Sequence, residues 1–325
     1  MRVNGEIVIM DGYESLSAES IRDMVGEVIT DEQLKRFATK KELCLSLSLP
    51  EVGYFRMTLY YHRGNIEIAV RLGISEIKSF EDLGLPRVIV EISRRTSGLI
   101  LIAGATGMGK TTTFNAIIDF INRERRYKII TIEDPVEYIH EPKMSIIIQQ
   151  EVYSDTISFG DALVHILRQD PDIIGVGEMR DLDTIATTLT AAETGHLVIA
   201  TIHTVDTAST VDRIIDVFPP HQQEQIRFQF ASVLLAIFCQ RLLPRADKKG
   251  RVLACEVLIA NDAVRNLIKE QKTNQLDNVI KTGGKFHMQA MDDVLKNLYM
   301  EGVITYDVAI SAAKNPHIFE KERNR

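Results

Sequence analysis

Residues Gly104-Ala105-Thr106-Gly107-Met108-Gly109-Lys110-Thr111 fit the pattern GxxxxGK[ST] in full. Glycines at this spacing let the backbone wrap closely round a chain of phosphates, so that its N–H groups and the first turn of a following helix face negative charge. Lys110 is spaced to reach the β and γ phosphates, and the Thr111 hydroxyl to ligate magnesium, with Thr112 next on the same turn. The expected chemistry is the binding of ATP with Mg2+ and its hydrolysis.

Hydrolysis also needs carboxylates to hold the metal shell and to position water. Two acidic clusters follow compact apolar runs: Glu133-Asp134-Pro135-Val136-Glu137 after 128–132, and Gly177-Glu178-Met179-Arg180-Asp181 after 173–176. Ligands bind at the carboxyl ends of parallel strands, which is where both clusters fall if those runs are strands. Any one of these carboxylates could be a solvated loop group or a helix cap; together they point to the phosphate loop. His196 and His203 are seven residues apart. An odd separation sends two side chains of one straight strand to opposite faces, so they cannot share a metal. One or both could sense the γ phosphate.

The elements that must carry these residues are legible in the periodicity. After Gly98, short apolar runs (99–103, 128–132, 173–176, 197–202) alternate with helical stretches (112–122, 159–168, 182–193). Buried strands separated by helices predict a mostly parallel sheet covered on both faces, an α/β core. Beyond Pro220 the chain reads as mostly helical, with one further strand over 252–259. Before the core, Leu45, Leu47 and Leu49 alternate with serines, and Phe55, Met57, Leu59 and Tyr61 alternate with Arg56, Thr58 and Tyr60. That is a half-buried antiparallel sheet with turns at 50–53 and 63–65, preceded by a helix over 17–29 with Ser17 as its cap. The predicted division is a small N-terminal α+β domain and linker over 1–85, then the ATPase domain with its C-terminal helical segment over 86–325, a helix starting at Pro86 or Arg87.

Bulk properties narrow the class. A chain of 325 residues with 45% hydrophobic and 26% charged residues has the composition of a globular protein with a sizeable core. A net charge of -7 argues against a protein that coats nucleic acid, and no stretch combines aromatic and basic residues for stacking bases. No apolar run reaches the ~20 residues of a membrane span, and no signal peptide is evident, so the cytoplasm is the default compartment. Cys44, Cys239 and Cys255 form no CxxC pair and are expected to be buried free thiols.

The ordered segments GATGMGKT, TIEDPVEY, GVGEMRD and TGHLVIATIHT, followed by DRIIDVFP, resemble the Walker A, acidic, atypical Walker B and histidine boxes of the secretion and pilus motor ATPase superfamily. FEDLGLP, LTAAETGH and AVRNLIKE extend the resemblance from about Arg2 to about Ile310 and liken the chain to the retraction branch of the type IV pilus motors. The resemblance implies that Glu137 is the general base on the attacking water, supported by Glu133 and Asp134. It implies Glu178 as the Walker B carboxylate beside the metal, and His203 as γ-phosphate sensor with His196 in the same box. It further implies an α/β RecA-like P-loop NTPase core behind a PAS-like N-terminal domain, and a ring-shaped homohexamer in which arginines of the N-terminal domain, here Arg56, Arg63 and Arg71, approach ATP held by a neighbour. The implied partner is the inner-membrane platform protein of the pilus, reached from the cytoplasmic face, with membrane association only through that partner and no nucleic acid. Family members usually begin with a further DLHL-like strand, whereas this chain opens at MRVNGEI, which leaves a truncated first domain or a misassigned start. Pilus-assembly and type II secretion ATPases share the site but usually carry a four-cysteine zinc insertion, which three cysteines cannot supply.

Overall fold

Two separate hydrophobic patterns, one alternating and one continuous, build two compact units, residues 1–75 and 76–325. The computed structural model describes residues 1–3, 6–10, 12–49, 53–73 and 76–319. Of the turn expected at 50–53, residues 50–52 lie outside them and Gly53 opens a strand.

In the first unit, strands β1 (Arg2–Val3) and β2 (Glu6–Ile7) pair antiparallel ahead of helices α1 (Ala18–Val28) and α2 (Asp31–Lys40). Strands β3 (Glu42–Leu49), β4 (Gly53–His62) and β5 (Asn65–Leu72) follow as an antiparallel sheet in that order. Ser17 caps α1 as expected, its Oγ accepting from the Ser20 N–H at 3.1 Å. Helix α2 is absent from the sequence reading although its signature was present: Thr30 and Gln33 form a reciprocal capping box. The alternation works as predicted. Leu43, Leu45, Met57, Leu59 and Ile66 pack on Val25, Ile29 and Phe37. On the other face Ser46 stands opposite Arg56, and Arg56 opposite Arg71.

The second unit begins before residue 86. Phe80 and Leu85, assigned above to a linker, pack with Val88 and Ile89 of α3 (Val88–Ser93) in the core of this unit. The chain continues through β6 (Gly98–Ala103), α4 (Lys110–Glu124), β7 (Lys128–Glu133), β8 (Ile146–Glu151), α5 (Phe159–Ile166), β9 (Ile173–Val176), α6 (Leu182–Glu193) and β10 (Leu197–Ile202). Then come α7 (Thr207–Asp216), α8 (Pro220–Val233), β11 (Leu234–Pro244), β12 (Arg251–Ile259), α9 (Asp262–Lys269), α10 (Leu276–Thr282), α11 (Met291–Met300) and α12 (Tyr306–Ala312). The sheet order is β12-β11-β6-β10-β9-β7-β8, parallel throughout except for β12.

Both faces of the sheet are covered, which is why its strands read as unbroken apolar runs. Along β6, Leu99 and Leu101 enter one core layer while Ile100 and Ile102 enter the other. Gly175 of β9 lets the layers close up, since a Cβ there would lie 2.7 Å from the Phe114 ring of α4. Beyond Pro220 the chain is mostly helical, as expected, but it carries a second strand besides β12, namely β11, an 11-residue strand. Sandwiched between β6 and β12, it is apolar on both sides, and such a run has no period to separate strand from helix. Strand β8 was likewise unforeseen. Cys239 and Cys255 are buried free thiols as expected, and Cys44 is half-buried.

Candidate active site

The phosphate loop leaves the carboxyl end of β6 and enters α4 at Lys110, as its pattern requires. Gly107 and Gly109 hold φ of 79° and 83°, values that a side chain resists. At Gly104 the constraint is space, because a Cβ would lie 2.8 Å from the Gln240 carbonyl of β11. Strand β11 thus forms one wall of the loop, and the Leu242 N–H also donates to Met108 Sδ at 3.2 Å. From the start of β12, the Arg251 guanidinium donates to the Gly107 carbonyl at 3.2 Å. None of Gln240, Leu242 and Arg251 carried a signal in the sequence, since each reaches the loop only through sheet pairing.

Lys110 is 7% exposed, and its ammonium donates to the Gly104 and Ala105 carbonyls at 2.8 and 3.1 Å. Burial lowers its pKa, while Glu178 opposes the shift. The ammonium also meets His203 Nδ1 at 3.4 Å, as does Thr106 Oγ1 at 3.4 Å. An ammonium can only donate, so Nδ1 is the acceptor and Nε2 carries the ring proton. Nε2 faces Glu178 Oε1 at 3.3 Å. Burial and then the Lys110 charge lower the pKa of His203, favouring this neutral imidazole. The other Glu178 oxygen pairs with Arg180 at 2.7 Å, and Arg180 reaches Asp134 at 3.6 Å. Thus Lys110, Thr106, His203, Glu178, Arg180 and Asp134 are joined in one cluster.

Glu133 ends β7 and is 3% exposed. Its Oε1 accepts from Thr131 Oγ1 at 2.8 Å and Gln149 Nε2 at 3.1 Å. Burial pushes its pKa up to about 7; the hydrogen bonds counter this, and the charges of Glu137 and Glu151 add to it. Glu137 is half-buried in the loop that follows, near enough for its charge to act on both Glu133 and Tyr138. Tyr138 OH meets Thr112 Oγ1 at 3.0 Å, which joins the acidic box to the start of α4.

The histidine box does not converge. His203 directly follows β10, but His196 directly precedes it and accepts, through its carbonyl, the Gly98 N–H at the opposite end of β6. Its ring Nδ1 bonds the Ala191 carbonyl at 2.9 Å. Six strand residues, about 20 Å of rise, separate it from the phosphate loop of its own chain, so the two histidines lie at opposite ends of β10. Arg56 and Arg71 are opposite one another in the first unit, whereas Arg63 occupies the turn between β4 and β5 with φ of 50°.

No group of three or more His, Cys, Asp or Glu among the described residues could hold a metal unaided. Magnesium keeps several waters and is held by one or two protein oxygens together with substrate phosphates; Thr111, in the first turn of α4, and Glu178, linked to Lys110 through His203, are oxygen donors of the kind it takes.

Residues 67–311 match the profile of the Type II/IV secretion system protein family. The chain belongs to that family. Within the type II/IV secretion system proteins it is 42% identical to a twitching motility protein of Neisseria gonorrhoeae over 97% of its own length and 84% of the relative's. It is 39% identical to the type IV pilus retraction ATPase PilT of Pseudomonas aeruginosa over 98% of its length and 92% of that protein's. A crystal structure of the pilus retraction motor PilT with bound ADP superposes with a TM-score of 0.91 at 43% identity, covering 98% of this chain and 91% of that one. This member of the family is a nucleotide-binding P-loop ATPase. Its RecA-like core, small antiparallel N-terminal unit and C-terminal helices bear out the predicted fold class. Among the described residues, no helix is long and apolar enough to cross a membrane.

Proposed function

We propose that this ATPase is the motor of type IV pilus retraction, a homohexamer that hydrolyses Mg-ATP at the cytoplasmic face of the inner membrane and acts on the platform protein of the pilus. The observation that carries the reading is likeness to a pilus retraction ATPase and to a solved retraction motor over nearly the whole chain, not over the nucleotide core alone.

The loop amides of 104–109 bind the phosphates, and Lys110 leaves the Gly104 and Ala105 carbonyls to reach the β and γ oxygens. Magnesium, when bound with the nucleotide through Thr111 and Glu178, neutralises charge on the β and γ phosphates. Glu137 accepts the proton of the attacking water as its oxygen bonds to the γ phosphorus and the bond to the bridging oxygen breaks. Asp134 and Arg180 keep Glu178 oriented, and the neutral His203 joins Glu178 to Lys110, so that loss of the γ phosphate is felt at both. Arg56, Arg63 and Arg71 are the candidates to reach a neighbour's nucleotide; an arginine acting so can be worth roughly 10³ to 10⁵ in rate.

Purified protein is expected to hydrolyse ATP with magnesium. Glu137→Gln should bind nucleotide and fail to turn it over, and Lys110→Ala should lose nucleotide-dependent activity altogether; a fully active Glu137→Gln moves the base elsewhere. In cells, deleting the gene should leave pili that persist without retracting, whereas loss of all pili would point to an assembly motor.

A further inference from the structure

Strand β8, unforeseen in the sequence, supplies a side chain whose two N–H groups and carbonyl oxygen are all engaged at the acidic box and the loop that follows it. Gln149 Nε2 donates to Glu133 Oε1 at 3.1 Å and to the Tyr138 carbonyl at 2.8 Å, while its Oε1 accepts from the His140 N–H at 2.8 Å. Two acceptors on one side and an N–H on the other permit only this orientation of the amide. His140 extends the chain of contacts. Its ring Nε2 lies 2.7 Å from Asn115 Oδ1, and Asn115 Nδ2 donates to the Thr111 carbonyl at 2.9 Å. Because that Asn115 nitrogen faces a carbonyl, Oδ1 is the acceptor and His140 Nε2 carries the proton; the other ring nitrogen is buried without a partner. An unbroken series of hydrogen bonds thus links the backbone of Thr111, at the phosphate loop, to the carboxylate of Glu133.

The same face of α4 grips the rest of the loop. Asn122 Nδ2 donates to the Glu141 carbonyl at 2.8 Å and its Oδ1 accepts from the Lys143 N–H at 2.9 Å. Asp119 pairs with Lys143. Thr112, Asn115, Asp119 and Asn122 fall at helical spacing, so one polar stripe reads residues 138–143.

We infer that Gln149 and His140 are positioning residues for hydrolysis: they lock the loop bearing Glu137 and the carboxylate of Glu133 to the phosphate-loop helix, so that binding at the loop and placement of the acidic box are one event. This rests on the reading of the acidic box as the water-activating group. Three variants of the full chain test it, with ADP affinity and melting temperature measured beside kcat. Gln149→Leu and His140→Phe should each lower kcat by about tenfold or more while ADP affinity stays within about threefold, since misplacement of a reacting group by an ångström can cost ~10²-fold.

Gln149→Glu gives a readout that plain loss of packing would not. Above neutral pH it sets a second carboxylate against Glu133, with Glu137 and Glu151 also bearing on that carboxyl. At lower pH a single shared proton restores a donor between the two, so its kcat relative to wild type should climb as pH falls from 8 to 6, while Gln149→Leu stays low throughout. Retention of wild-type kcat in Gln149→Leu, loss of ADP binding in step with kcat, or a Gln149→Glu profile parallel to wild type would each overturn the inference. Glu137→Gln run alongside reports on the base assignment alone: full activity there with impaired Gln149 variants removes Glu137 from the reading and leaves the link to Glu133.

Discussion

Burial favours the neutral forms of two ionisable side chains, Glu133 and His140, and they respond to pH in opposite senses. The Glu133 pKa rises from 4.5 to about 7 on folding, so its contribution to stability is full below 4.5 and is lost as pH climbs through 7. The His140 pKa falls from 6.5 to about 4 through burial, so its contribution is full above 6.5 and is lost as pH drops through 4. Each is worth at most about 3 kcal/mol. Glu133→Gln, which keeps an oxygen for Thr131 and Gln149, should therefore raise the melting temperature at pH 8 and leave it nearly unchanged at pH 4.5; equal effects at both pH values would mean that Glu133 ionises normally. At this scale the phosphate loop was legible because its chemistry is local in sequence. Gln149 and His140 were not, because their partners, Glu133, Tyr138 and Asn115, lie in other elements.

Helices α4 and α6 were legible as elements because strong periodicity coincides with a buried face. Strands β8 and β11 were not, for different reasons: β8 has only three apolar residues before turning polar, and β11 has no polar face at all. Yet both complete the site, β8 through Gln149 and β11 through the wall behind Gly104. Gly104→Ala tests the wall. Its methyl would meet the Gln240 carbonyl at 2.8 Å, and backbone cannot yield as a side-chain tip does. The variant should lose nucleotide binding by at least about tenfold even where it folds, and unaltered ADP affinity would mean that the loop moves away freely. The stripe on α4 is a second test. Asn122→Ala strips the Glu141 carbonyl and the Lys143 and Ser145 N–H groups of their side-chain partner, so a loss of about 1–3 kcal/mol in stability is expected from thermal or denaturant melts.

At the scale of the whole chain, the division into a small α+β unit and an α/β core was visible from the change of hydrophobic period near residue 98. The boundary was not, because Phe80 and Leu85 join the larger core only through tertiary packing. Strand order was hidden too, since β6, β10 and β9 are neighbours that are far apart in sequence. If first-unit arginines act on a neighbour's nucleotide, mixing Arg71→Ala subunits with Glu137→Gln subunits should recover hydrolysis that neither has alone, whereas strictly additive rates would place the arginine's action within its own chain. A last consequence follows from β10, clasped by β6 and β9 and capped by an imidazole at each end. These two rings are a built-in pair of spectroscopic beacons. In a proton NMR spectrum, nucleotide should displace the ring resonances of His203 and leave those of His196 in place, so that one histidine serves as the other's reference in the same tube.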